Sequence, residues 1–154
     1  MADVAEFQDE EVRQYLEQLI YRAQNPVQVE EIVGAISAVV FRNIMDHFKN
    51  ESGSDGEWAA WSKSYARYMN KIGRGGNKKL QFNGKLRQNF MPEKRRLLSD
   101  GIEWFNNAKT KSGFPYAAAH NYGGPKLPQR EFMWVSDSAL DTITEIVLDK
   151  IVGD

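Results

Sequence analysis

Cysteine is absent from this chain, and with it go disulfides, thiolate metal sites and a thiol nucleophile. That absence fits a reducing compartment. Histidine is almost as scarce. Only His47 and His120 occur, far apart and without partners at ligand spacing, and no carboxylate cluster stands out to hold a metal in their place. Long apolar runs are missing too: stretches such as Ala38-Val39-Val40-Phe41 fall far short of a membrane span. The first residues carry Asp3, Glu6, Asp9, Glu10 and Glu11 where a secretory leader needs a basic start and an apolar run. These absences predict a soluble protein, with no membrane partner, that stays where it is made. Signatures of chemistry are lacking as well. The glycines at 73–76 are followed by Lys78 and Lys79, but no buried strand precedes them and no Gly-Lys-Ser/Thr triplet follows. No Gly-x-Ser-x-Gly elbow or Ser/His/Asp arrangement is seen. The expectation is a non-enzyme with no catalytic, cofactor-binding or metal residues.

What is present is enough for one domain. The chain has 154 residues, 42% hydrophobic and 27% charged, and a domain of that size buries roughly 70% of its unfolded surface. A single domain over 1–154 is expected. Its net charge is only −1, yet unevenly spread. Residues 1–41 carry two Lys/Arg against eight Asp/Glu, a balance of −6. Residues 42–97 carry thirteen against five, a balance of +8, and residues 98–154 five against eight, a balance of −3. Such polarity suits either solvated faces or surfaces that meet differently charged neighbours.

Periodicity predicts a first helix over 9–24, capped by Asp9, with Val12, Tyr15, Leu16, Leu19 and Ile20 on one stripe. Asn25-Pro26 ends it. A second helix from about Val27 to Lys49 carries Val29, Ile32, Val33, Ile36, Val40, Ile44 and Phe48 on one face. His47, near its end, reads as a capping or dipole residue. Residues 50–57 read as a loop, 58–69 as a short aromatic helix, and 73–79 as a flexible basic loop that projects from the body. Beyond Leu80, turn pairs break short apolar runs. Asp100-Gly101 predicts a hairpin, Phe132-Met133-Trp134-Val135 a strand, and Ser136 or Asp137 caps a final helix along Leu140, Ile143, Ile146 or Val147, Leu148 and Ile151. The class is α+β: N-terminal helices, a small antiparallel β-sheet and a C-terminal helix.

Nucleic-acid binding is a competing reading of residues 63–96, where Lys63, Arg67, Lys71, Arg74, Lys78, Lys79, Lys85, Arg87, Lys94, Arg95 and Arg96 interleave with Tyr65, Tyr68, Phe82 and Phe90. Core packing also accounts for those aromatics, and a pI near 6.2 is low for a dedicated binder.

Several motifs in order resemble one family. Phe48-Lys-Asn-Glu51, Asp55-Gly56-Glu57-Trp58 and Trp61-Ser62 with Tyr65 and Arg67 resemble its acidic, Asp-Gly, Trp, short-helix opening. Leu80-Gln-Phe-Asn83-Gly84-Lys-Leu86 resembles its Leu, Gly, x, Leu signature. Tyr116-Ala117, His120 and Gly123-Gly124, then Leu127-Pro128-Gln-Arg130-Glu-Phe132, resemble its Tyr-Ala, His, Gly, Pro-x-Arg-Pro-Phe ending. The family is that of phage virion-morphogenesis or tail-completion proteins, akin to tail terminators. Glu131 departs from it, standing where the pattern has proline.

The resemblance implies a structural virion protein, assembled in the host cytoplasm, that forms a ring at the head-proximal end of a phage tail. Its implied partners are copies of itself, six in the family pattern, with tail-tube and neck or connector proteins, and non-specific contact with packaged DNA. Another neck-ring role, that of a stopper or head-completion protein, fits the same motifs; a DNA-binding regulator is the reading from a different class. Trp58, Gly84, Leu86, Tyr116, Ala117, His120, Gly123, Pro128, Arg130 and Phe132 are the motif positions. Gly84 suits a turn with positive φ, and Pro128 fixes the entry to the next strand. Arg130, between apolar stretches, is expected to pair with a carboxylate, either within the subunit or on a neighbour. Arg74, Lys78 and Lys79 mark a lumen or docking loop. The acidic helical part of one subunit would face the basic middle of the next.

Overall fold

The computed structural model describes residues 10–98 and 101–153. Asp9, expected to cap the first helix, and the Ser99-Asp100 turn lie outside the described residues, as do the side chains of Val12 and Tyr15. Among the described residues the chain is α+β, with six helices and two separate two-stranded antiparallel sheets.

Helix α2 (Pro26–Asn50) is the pillar. Twenty-five residues give it a length of about 37 Å. Pro26 occupies its first turn, where a missing N–H costs nothing. Asn25, which ends α1 (Glu10–Gln24), caps α2 at the same time: its Oδ1 accepts from the Val27 and Gln28 N–H groups at 3.0 and 3.2 Å. Around α2 the buried cluster gathers Ile36, Val40, Ile44, Phe48, Trp58 and Phe132. The stripe expected from the sequence is the buried face, except that Val29 is only half buried. The α1 stripe behaves differently, since Leu16 and Ile20 are exposed.

Helix α6 (Asp137–Val152) begins at Ser136, whose Oγ accepts from the Ala139 N–H, and packs along α2. Ile143, Ile146, Val147 and Ile151 lie against the core. Its end returns to α1, where Arg22 donates to the Val152 carbonyl at 2.6 Å.

The segment 50–57 is not a plain loop. Strands β1 (Ser52–Gly53) and β2 (Gly56–Glu57) form a minimal hairpin there. The aromatic helix is shorter than expected: α3 (Lys63–Lys71) starts at the Ser62 cap and leaves Trp58 and Trp61 outside it. After the short α4 (Lys85–Gln88), the expected hairpin is present as β3 (Arg95–Leu97) with β4 (Ile102–Trp104), braced across the strands by Arg96 and Glu103 at 3.1 Å. A helix that periodicity did not predict, α5 (Tyr116–Tyr122), precedes the glycine pair.

Residues 132–135 do not form a strand. They are irregular, with a bend at Met133, and side chains rather than a neighbouring strand take their polar groups. The Phe132 and Met133 N–H groups both donate to Asn121 Oδ1, at 3.0 and 2.9 Å. The Trp134 carbonyl accepts from Asn43 Nδ2 at 2.7 Å and lies 2.9 Å from His47 Nε2. Asn43 Oδ1 then accepts from the Ser136 N–H and hydroxyl. Two buried asparagines thus satisfy the donors that a sheet would otherwise use.

Candidate functional site

The C-terminal end of α2 presents carbonyls with no intrahelical partner and the negative end of the helix dipole. The basic loop folds onto it. Lys78 Nζ donates to the Lys49 carbonyl, and Gln81 Nε2 to the Phe48 carbonyl at 2.9 Å. Glu51, the left-handed residue that closes α2, accepts the Lys79 N–H at 2.6 Å and has Lys79 Nζ at 3.8 Å. Arg74 donates to the Phe82 carbonyl at 2.6 Å and lies 4.3 Å over the Phe82 ring. The loop expected to project is therefore tied down, with all three of its cations engaged. Leu80 pays locally for this path, with φ at 60° in the left-handed region where a branched chain is strained.

The motif residues converge just beyond that loop. Trp58 is buried edge-on against Phe48 and donates its indole N–H to the Glu131 carbonyl at 2.7 Å. Phe132, fully buried, tilts against the same Phe48 ring. Arg130 is buried too, and within the subunit its partner is not the carboxylate expected. Nε donates to the Ala59 carbonyl and Nη2 to the Ala60 carbonyl, both at 2.9 Å, and no carboxylate lies within salt-bridge distance among the described residues. Its fork holds the turn after Trp58, where two successive carbonyls match the geometry of a guanidinium. Burial pushes its pKa down, with Tyr65 acting the other way. Glu131, free of the proline constraint, turns back to accept from the Ser54 N–H and hydroxyl.

These elements enclose a cleft of about 840 Å³. Its apolar surface comes from Trp61, Tyr65, Met69, Leu80, Phe82 and Leu127, and α5 supplies Tyr116 and His120. Six cations line it, Lys78, Lys85, Lys109, Lys111, Lys126 and Arg130, and no carboxylate does. Leu86 lies between cleft and core; Ala117 is sealed in the core. Gly84 takes φ 76° at the start of α4, as a positive-φ turn requires. Gly123 takes φ 74°, and a Cβ there would stand 2.9 Å from the Gln129 N atom, so only glycine fits. Pro128 lies exposed on the rim and leads into Arg130, not into a strand.

The two histidines serve different places. His47 is not a capping residue: it is buried, stacks on Trp134 with centroids 3.9 Å apart, and donates from Nε2 to the Trp134 carbonyl. Burial lowers its pKa against the opposing effects of that bond and of Asp46 and Glu131. His120 has its pKa lowered by burial and then by Arg130, and its Nδ1 is buried without a partner. Nearby hydroxyls are occupied in local turns, Ser62 capping α3 and Thr110 accepting from the Phe114 N–H. Among the described residues no three of His, Asp and Glu gather to hold a metal. What the cleft offers is cationic heads around an apolar floor, an arrangement for binding an anionic, partly apolar surface.

The 63–96 segment does not act as one basic face. Arg95 pairs with Glu30 and Arg96 with Glu103. Of its four aromatics only Phe90 enters the core; Tyr65, Tyr68 and Phe82 are exposed, against the packing expected for them. Sequence reasoning missed Asn43 and Asn121, which organise the 132–136 segment, and the cations at 109, 111 and 126, which lie outside the basic block. Compared with family models, curated proteins and solved structures, the chain matches none.

Proposed function

We propose that this chain is a structural subunit of a phage tail, forming a ring at the head-proximal end. The observation that carries the reading is apolar surface left uncovered on α1 and α6: Leu16, Ile20, Tyr21, Leu140, Leu148 and Val152 are all exposed. Isolated apolar side chains on a surface need no explanation, but successive turns of two helices do, because such stripes are covered in an assembly. The order of the tail-completion motifs supports the same reading. Residues from 58, 116–123 and 128–132 that resemble the family meet around one end of α2, which supports reading them together. Assembly needs no chemistry from the cleft, only complementary surfaces around a symmetry axis.

Electron microscopy and native mass measurement of the purified protein test this, alone and with tail tubes. Closed rings, or density capping one end of the tubes, are expected. A monomer under both conditions, with bare tube ends, overturns the reading.

A further inference from the structure

The outer face of α6 is built from two adjacent stripes. Asp137, Asp141, Glu145 and Asp149 recur every four residues and are all exposed. Leu140, Thr144, Leu148 and Val152 recur at the same spacing one step around the helix, and are exposed as well. Residues four apart lie above one another on a helix, so each set forms a continuous line. Thr144 belongs with the apolar set, because its hydroxyl is taken up by the Leu140 carbonyl at 2.9 Å. Among the described residues, none of the four carboxylates has an ion-pair partner. The opposite face needs no such explanation, since Ala139, Ile143 and Ile151 pack inward.

The cleft at the other end of the molecule has the complementary chemistry. Lys85, Lys109, Lys111 and Lys126 line it without ion-pair partners among the described residues, around the apolar floor of Trp61, Phe82 and Leu127. One chain cannot satisfy both. Helix α6 is pinned at Asn43 through Ser136 and runs toward Arg22 and Gln28, whereas the loop that bounds the cleft is pinned at Phe48, Lys49 and Glu51. The helix therefore runs away from the cleft.

We infer that the outer face of α6 on one subunit docks into the cation-lined cleft of a second copy of this chain. The inference rests on the assembly reading and names its contact. Two different surfaces meet, so the contact is heterologous and repeats from copy to copy, closing into a ring where the rotation allows. The carboxylate stripe meets the lysines, while the leucine stripe covers the apolar floor. A nucleic acid would meet the lysines and stack on Trp61 and Phe82 but leave the leucine stripe of α6 uncovered, which is why the second copy is the better occupant.

The test is a charge exchange in the full chain. One variant carries Asp141→Lys and Glu145→Lys; the other carries Lys109→Glu and Lys111→Glu. All four sites are exposed, so circular dichroism and melting of the monomers should match the parent. Sedimentation across micromolar to millimolar concentrations, and tube-end decoration in micrographs, read association. Each variant alone should associate roughly 100-fold more weakly, because like charges then face each other. Mixing the two should restore assembly, since each cleft again meets an α6 of opposite sign. If the parent assembles and neither variant weakens it, the docking surfaces are wrong while the ring reading stands. If the parent never associates, in solution or on tubes, the ring reading fails and takes this contact with it. If the cleft variant loses duplex DNA binding with assembly unchanged, the cleft is a nucleic-acid surface and the inference is overturned.

Discussion

The two ends of α2 are finished in different ways. Toward its C-terminus, Phe48 and Phe132 are 0% exposed and Ile44 2%, under irregular segments that come from three distant parts of the chain. Toward its N-terminus, where regular helices α1 and α6 do the covering, Ile20 is 56% exposed and Leu148 55%. Both ends bury α2 itself, Val33 being 3% exposed and Phe48 0%, but the helices that cover its N-terminal half leave apolar side chains of their own in solvent. The reason lies in polar bookkeeping and geometry. The 130–136 segment can lie flat on the core because Asn43 and Asn121 take its donors and acceptors, so no second strand is needed. The flanking helices satisfy their own backbone, but each presents a second apolar stripe on the side away from α2, and three helices cannot bury both sides of two of them. At one end the face of α2 itself is sealed within the subunit, with the cleft open beside it; at the other, the outer stripes of α1 and α6 are left for a neighbour.

The largest way to break that contrast is Phe132→Ala. Its ring packs fully buried against Phe48, and Asn121 holds the Phe132 backbone in place above the void that would be left. A loss of about 3–5 kcal/mol is expected in urea unfolding of the monomer, the range for deleting a buried aromatic. A loss below about 1 kcal/mol would mean that this end is no better packed than the other.

The parts of the molecule legible in the sequence are those with local causes. Helices α2 and α6 announce themselves because a buried face must repeat at 3.6 residues, and Ser136 and Gly84 because caps and positive-φ turns have short-range chemistry. The strand expected at 132–135 fails because its apolar run is explained by burial alone. Whether such a run pairs with a strand or with asparagines depends on Asn121, 11 residues before Phe132, and on Asn43, 91 residues before Trp134. Arg130 was legible as a partnered arginine, but the partner proved to be two carbonyls that the chain brings from residues 59 and 60. The basic loop misled for a related reason: its charge looks free until α2's unsatisfied carbonyls are placed beside it. The cleft was hardly legible at all. Its lysines at 109, 111 and 126 lie in a stretch whose overall balance is acidic, and only folding separates them from the α6 carboxylates.

A smaller effect sharpens the comparison through pH. His47 lies at the sealed end, and burial is the main cause of its lowered pKa. His120, beside the cleft, is lowered by burial and by Arg130. For each, the unfolded chain with its ordinary value of 6.5 binds a proton more readily than the folded one. Stability is therefore complete above 6.5 and falls as pH drops through that value toward the lower folded one. Melting temperature should decline from neutral pH to about pH 5, above the range where most carboxylates titrate. His47→Gln keeps a donor for the Trp134 carbonyl but cannot take up the proton, so it should reduce that decline; His120→Gln should remove much of what is left. An unchanged slope in the paired variant would show that neither histidine senses folding.

The smallest expected effect on the monomer tests the open end. Leu140→Gln with Leu148→Gln places two polar side chains on the exposed stripe of α6, at positions 49% and 55% exposed. Glutamine and leucine have nearly equal helix propensities, so the helix itself should not notice the exchange. Neither leucine belongs to the buried cluster, and its inward neighbours Ile143, Ile146 and Ile151 remain in place. Urea unfolding of the monomer should therefore shift by no more than about 0.5 kcal/mol per site, as for ordinary surface changes. Association should fall all the same, because the apolar line that a second copy would cover has been broken. The two measurements must be made apart, with unfolding followed at concentrations too low for association, since binding stabilises whatever it binds. A monomer destabilised by about 2 kcal/mol or more would place these leucines in the subunit's own core, and the distinction between a finished end and an open one would be lost.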